Sequence, residues 1–530
     1  MIHLFGVRLS GLAAFACGLF AAGGVMAQPV TLVRVSPDGT IACPPYNTQG
    51  DTVPDFSFCG YGGGGVRLPD VPVKTTVTPR TDRQDDLPAL QAAVDALAKT
   101  PIDANGFRGA ILLRRGVYRL SDTLRVAASG IVLRGEGDSE TGTLLYGTGL
   151  KEYTLINFKG GEKTLLPDTR QPIADAYVPI GSRVIRIPDA GKFAVGDTVA
   201  VVRHSTDEWI HEIKMDQIPS RAKADTGDEQ TVQWKPFDLA FDRVVTSVQG
   251  DSLTLDAPLG DRIDTKWGGG SVVKYDDAPR IKNVGIENLF GSSTFDASVI
   301  KTYSGQRVRV DERHANRLVA FDHATNVWAR DLGTRYLDGV VSFGYGVKFA
   351  TAQDCRSEEP ISQITGGRRY PFFSNGQLTL WQRCRADEAR HAFVYNSRVC
   401  GPNVFLDCVA TNQHGSSEAH HRWSVGGLYD NVHGSIAVND RGNQGSGQGW
   451  GGANYVLWNC EGGITLQSPP TANNVAVGHV GELRPPRTGP ANAWVESFGT
   501  HVEPRSLYLQ QLKQRLGEGA VKNIARASKP

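Results

Sequence analysis

An excess of either charge is the first thing this sequence lacks: 56 Lys and Arg stand against 55 Asp and Glu, a formal net charge of +1 over 530 residues. Nucleic-acid binding needs a basic footprint, so no nucleic-acid partner is expected. Past the first 27 residues no apolar run is long enough to cross a bilayer, so no membrane span is expected either. The cysteines contain no CxxC spacing, which argues against a structural zinc or a redox pair. With 61 glycines the chain favours turns and close backbone approach over long helices.

What is present begins with an address. Residues 1–27 run through Arg8 into an Ala/Gly/Leu/Phe-rich segment and finish on Val25-Met26-Ala27. That is the pattern of a secretory signal peptide cleaved after Ala27, and it implies a secreted or periplasmic protein. Residues 28–79, rich in Pro, Gly and Thr, read as an extended lead-in. In an oxidising compartment Cys43 and Cys59, which flank part of it, could pair.

Further on, a short apolar run ending in a polar residue and then a small apolar one keeps returning. It reaches Leu289, Leu332, Cys355, Cys384, Cys408, Val432 and Cys460, in steps of 43, 23, 29, 24, 24 and 28 residues, which reads as one double step followed by single ones. Strands too short to bury themselves, recurring every twenty-odd residues, predict a coiled parallel solenoid. The repeat cysteines then read as buried core thiols.

At Asp85-Asp86-Leu87-Pro88 a helix starts, with Leu87, Leu90, Val94 and Leu97 on one face. It is followed by GAILLRRGVYRLSDTLRV and GIVLRGEGDSETGTLL, short strands broken by glycine. A capping helix followed by these strands resembles the N-terminal coils of pectate-lyase-like right-handed parallel β-helix proteins. The resemblance implies an all-β fold, a right-handed parallel β-helix with an N-terminal capping helix; read with the repeat, the chain then divides into coils over 80–150 and 276–482, an inserted β-rich subdomain over 151–275, where the repeat disappears, and a C-terminal tail with a helix over 483–530. It does not fix a reaction, because that superfamily holds lyases, hydrolases, epimerases and phage tailspikes. The insertion reads as a small barrel or sandwich, and EPRSLYLQQLKQRLG as a helix that caps or straps the last coil.

The stretch 366–458 concentrates arginine, histidine and aromatic residues beyond what packing requires. Stacked coils put equivalent positions about 4.8 Å apart. Counting from the repeat position stacks Glu358 with Asp387, Glu359 with Glu388, and Arg369 with Arg398 and Arg422. Stacked carboxylates need an arginine, a shared proton or a cation such as Ca²⁺. Stacked guanidiniums need anions across them, which an acidic polysaccharide would supply; interior ion pairs to Asp407, Asp430 or Glu418 are the structural alternative. A metal on His420 and His421 is disfavoured, because neighbours on a strand face opposite ways.

Three functions follow. A polysaccharide lyase acting by β-elimination beside a uronate would use His391 or His421 as base, Tyr370 as acid, and Arg369, Arg390 and Arg422 on the carboxylate. Arg368, Arg398, His420, Trp423 and Trp450 would line the substrate path. A glycoside hydrolase would use paired carboxylates among Glu358, Asp387 and Glu388; neither the paired-aspartate and Gly-His-Gly pattern of polygalacturonase-like hydrolases nor a DPHE-like epimerase motif is present. A non-catalytic glycan-binding or adhesion solenoid would need the aromatics without the histidines.

Overall fold

The computed structural model describes residues 32–221, 231–303 and 305–525. The signal peptide expected over residues 1–27 lies outside the described residues. Three parallel sheets wind the chain into a β-helix. Sheet A takes strands such as Lys348–Gln353, Gln377–Gln382, Cys400–Leu406 and Ser424–Asp430. Sheet B takes Arg356–Glu358, Arg385–Asp387 and Val409–Thr411. Sheet C is ten strands deep and includes Phe372–Ser374, Phe393–Tyr395, Ser417–Ala419 and Ile436–Val438.

The repeat residues stack as read. Arg356, Arg385 and Val409 share a rung, so Cys355, Cys384 and Cys408, one residue earlier, share the rung below them in sequence. All four repeat cysteines are buried. Cys384, Cys408 and Cys460 each point Sγ at a carbonyl of the preceding coil, Ala352, Trp381 and Tyr429. The polar residue just before them has a geometric cause. Asn288, Asp331, Asp354, Asp407, Asn431 and Asn459 all adopt positive φ between 49° and 57°, the left-handed region that Asn and Asp tolerate best. There the chain turns from sheet A into sheet B. Arg383 takes the same conformation, held by two 2.9 Å bonds to Asp354.

One step was misread. The strand Ile281–Ser293 pairs directly with Ala324–Arg335, placing Leu289 beside Leu332. The 43-residue step is therefore a single coil carrying an excursion, which includes the hairpin Ile300–Tyr303 with Gln306–Arg309. A repeat signal alone does not separate a skipped coil from a long loop.

Inside the helix the rings of Trp381, Phe405 and Tyr429 stack on successive coils, each 5.6 Å from the next. The helix Leu87–Ala98 lays Leu90, Val94 and Leu97 on the first coils. Outside, sheet A is covered. Leu380, Val404, Leu428, Val456 and Val475 form one outward rung ladder, packed beneath Phe56 and Phe58 of the lead-in and Leu507, Tyr508 and Leu512 of the C-terminal helix Leu507–Leu516. That helix straps the flank of the solenoid: Gln511 Nε2 donates to Pro54 O at 3.0 Å and Tyr508 OH to Cys59 O at 2.8 Å. Cys43 and Cys59 are both free, which corrects the pairing considered above; Cys59 is instead sealed beneath the strap.

The insertion between the early and main coils is an open antiparallel sheet of seven strands, not a barrel. Its apolar core is continuous with side chains from the coils, Cys400, Trp423, Val425 and Ala453. Arg243 ties the two together, donating to Pro258 O at 2.6 Å and to Gly401 O at 2.9 Å. No helix among the described residues is long and apolar enough to cross a membrane.

Candidate active site on the outer face of sheet C

On sheet C, Phe373, Val394, Glu418 and Ala437 occupy one rung and point outward. Side chains alternate along a strand, so Glu418 and His420 share the outer face. On neighbouring coils Tyr370 and His391 stand on a common rung, two residues before the Phe372 and Phe393 pair. The chain thereby brings three groups onto one carboxylate. Glu418 Oε1 receives Arg441 Nη1 and His420 Nδ1, and lies 3.0 Å from His391 Nε2. The far nitrogen of His420, Nε2, lies 3.3 Å from Tyr370 OH, to which Arg390 Nη1 donates at 3.1 Å.

Glu418, His391, His420 and Arg441 are 4 to 7% exposed, so their charges are not shared with bulk water. Burial works against the charge of Glu418, yet His391, Arg441 and His420 together hold its carboxyl well below the ordinary range. His391 donates from Nδ1 to Ser416 O at 2.6 Å, and its Nε2 is out of line for a hydrogen bond to Glu418. Burial presses it down to about 3, against the pull of Glu418. His421 is likewise pressed down to about 3, by burial and then by His420. Tyr370 is pushed up to about 12 by burial, with Arg390 pulling the other way. At neutral pH the cluster is therefore an ionised glutamate with an arginine, neutral histidines and a protonated phenol.

Around it polar atoms are left unpaired. His421 Nδ1, Arg422 Nε, Arg441 Nε and Gln448 Oε1 are buried without a hydrogen-bond partner among the described residues. Buried polar groups are nearly always satisfied, so these unpaired atoms beside the cluster are a departure from the usual pattern.

The structure unites His391, His420, His421, Tyr370 and Arg390, and sets Arg422 at their edge with Nη2 on Ser446 Oγ at 2.8 Å. Several other candidates are elsewhere. Arg369 is not on the Arg398 ladder: its carbonyl accepts from Arg390 N, and its side chain is buried, donating to Ser362 O at 2.9 Å. Arg398 does stand beside Arg422, donating its N–H to Arg422 O, and lies over the Phe237 ring at 4.2 Å. Arg368 is held by Glu152 and Glu312 at 2.8 and 2.7 Å. Trp423 is no sugar platform, being 1% exposed, edge-on to Trp209 at 4.8 Å and bonded through Nε1 to Asp261. Trp450 is partly buried; its Nε1 donates to Ile213 O at 3.0 Å, and it lines a cavity of 380 Å³ with Met215, Pro470 and Asn492.

The carboxylates of the hydrolase alternative stand on sheet B, a different face. Glu358 pairs with Arg356 at 3.2 Å, and Asp387 accepts from Thr411 and Asn412 at 2.7 Å each. Glu388 lies 3.8 Å from Arg369. Arginine stands beside Glu358 and Glu388, and neutral donors beside Asp387. Among the described residues His391, Glu418 and His420 are the set with metal-ligand spacing. Arg441, on the same carboxylate oxygen, supplies the positive charge that an ion would bring.

Glu418 and Arg441 were missing from the sequence reading as site residues. The alternation Glu418-x-His420 on a strand was available as a signal. Arg441 had none, since it reaches the site from the end of the next coil.

No protein-family model matches the chain, and neither does any curated protein. Solved structures that resemble it include the tailspike protein of Pseudomonas phage LKA1, at 14% identity and a TM-score of 0.43, over 75% of this chain and 57% of that one. The tailspike of Acinetobacter baumannii bacteriophage AP22, in complex with a capsular saccharide, gives 12% identity and 0.39, over 76% and 56%. The tailspike of E. coli bacteriophage HK620, in complex with a pentasaccharide, gives 10% and 0.39, over 78% and 57%. The chain thus spans less than three fifths of each of these structures. At TM-scores below 0.5 the likenesses decide nothing about mechanism, and the β-helix follows from the strand pairings themselves.

Proposed function

We propose that the chain is an exported enzyme that cleaves an acidic polysaccharide by β-elimination at the sheet C cluster. One observation carries the reading: the Tyr370 hydroxyl is held between Arg390 Nη1 and His420 Nε2, and His420 is in turn oriented by Glu418. A phenol pushed up to about 12 keeps its proton at neutral pH and is placed to give it away.

His421 Nδ1, neutral and without a partner, takes the proton from the carbon next to the uronate carboxyl group. Arg390 and Arg422 offset the charge that builds on that carboxylate. The electron pair released forms the new carbon–carbon double bond as the carbon–oxygen bond to the leaving sugar breaks. The departing oxygen takes the Tyr370 proton, and exchange with water returns His421 and Tyr370 to their starting states. No water is consumed. His391 uses its Nδ1 proton on Ser416 O and turns Nε2 toward Glu418, away from Tyr370 and Arg390, and is not the base.

The test is incubation with a panel of acidic and neutral glycans, followed by ultraviolet absorbance of the new double bond. Unsaturated products are expected from a uronate-containing glycan. New reducing ends without that absorbance mean hydrolysis, and no cleavage of any glycan means a binding solenoid; either overturns the reading.

A further inference from the structure

Arg317 lies on the strand Ala315–Asp322 of sheet C, and the strand register puts it beside Gly339. Gly339 in turn precedes Val341, which pairs with Phe372, so Tyr370 is its neighbour on the next coil. Arg317, Gly339, Tyr370 and His391 therefore make one rung ladder leading into the site. The guanidinium occupies the space that Gly339 leaves open: a Cβ there would come within 2.7 Å of Arg317 Nε and 3.3 Å of Tyr370 O.

Among the described residues this arginine makes no ion pair, and its Nε is buried without a hydrogen-bond acceptor. Burial weakens its hold on its proton, and Asp338, Asp322 and Glu152 pull the other way without contact. Asp338, the first of these, is engaged by the Arg369 N–H. On the same stretch both ring nitrogens of His314 and the Asn316 amide oxygen are also buried and unpaired. A desolvated guanidinium without an anion is costly, and its planar fork of donors matches a carboxylate or sulfate.

Resting on the reading of the sheet C cluster as a uronate-directed site, we infer that Arg317 binds an anionic substituent of the glycan beside Tyr370. Its strand is two rungs away, but the guanidinium reaches over Gly339 and so stands about one rung, roughly 5 Å, from Tyr370, close to the length of one sugar, which puts the anion on a sugar next to the one being cleaved. The substrate then carries at least two acidic sugars, and Arg317 sets specificity without touching the reacting atoms.

Binding calorimetry tests this with hexamers of galacturonate, glucuronate, mannuronate and guluronate and with their carboxyl-reduced counterparts. For the hexamer that the wild-type protein binds, Arg317→Gln is expected to weaken binding roughly tenfold or more, with no change on the carboxyl-reduced form. Gly339→Ala, which displaces the guanidinium and also crowds the Tyr370 carbonyl, is expected to move binding of the charged hexamer the same way, and Arg317→Lys to restore part of the loss. Melting curves check that each variant is folded. Unchanged hexamer binding by Arg317→Gln, or equal losses on charged and reduced hexamers, overturns the inference and leaves the proposed function standing. If the wild-type protein binds none of the charged hexamers, the uronate reading itself falls and this inference with it.

Discussion

The outer faces of sheets A and C are both buried, and they are buried in opposite ways. Sheet A presents Leu380, Val404, Leu428, Val456 and Val475 to apolar residues of the lead-in and of the C-terminal helix. Sheet C presents Glu418 and His420 to charged and aromatic side chains from its own neighbouring coils. A buried acid on each face shows the contrast. Asp430, under the strap, receives Ser506 Oγ at 2.7 Å and Tyr508 N at 2.8 Å. With only neutral donors in contact, burial pushes it up to about 7. Glu418 is as deeply buried but has Arg441 and two histidines in contact, and stays ionised. Burial alone therefore does not make a reactive site; what matters is which charges share the burial.

The comparison breaks hardest at Glu418. Glu418→Gln leaves the Arg441 guanidinium buried against a neutral amide and frees His420 from its orientation. Removing one partner of a buried pair costs about 3–5 kcal/mol, so urea unfolding should show a loss of that size together with loss of glycan cleavage. His421→Ala comes next. Losing a positioned base lowers kcat about 10²- to 10⁴-fold, and with little change in oligosaccharide binding or in melting temperature. Turnover near the wild-type rate in the folded variant would remove His421 from the mechanism.

On sheet A the same logic predicts stability without activity. Leu428→Ala should cost about 2–5 kcal/mol in unfolding experiments and leave kcat unchanged below the new melting temperature. The smallest effect is expected at Asp430. A carboxyl raised from its ordinary value to about 7 on folding binds more protons in the native state between roughly pH 4 and pH 7. Its contribution to stability is thus present at low pH and is lost as pH rises through 7. Asp430→Asn should therefore melt higher than wild type at pH 8, with the gap closing toward pH 4; a gap that is constant across this range would show that Asp430 does not carry the proton.

The ladder of Cys355, Cys384, Cys408, Val432 and Cys460 was legible because stacking demands alike residues at alike rungs, and because the turn before them demands Asn or Asp. The same arithmetic failed at Arg369. A fixed count from the repeat position holds only while connecting loops are of equal length. From the end of Arg356–Glu358 to the start of Phe372–Ser374 the chain takes 14 residues, against 6 from Arg385–Asp387 to Phe393–Tyr395. Trp423 failed for another reason, since nothing in its neighbourhood reveals that Trp209, more than two hundred residues earlier, lies against it.

By itself, then, the sequence determined the solenoid and the ladder of residues at its turn position, because these depend on alternation along short strands and on local turn conformation. The tertiary structure decided which outer face was sealed with apolar chain and which gathered Arg441, Glu418, His420 and Tyr370. Those outcomes depend on where distant segments dock and on how far each loop carries its charge, and neither quantity is periodic in the chain.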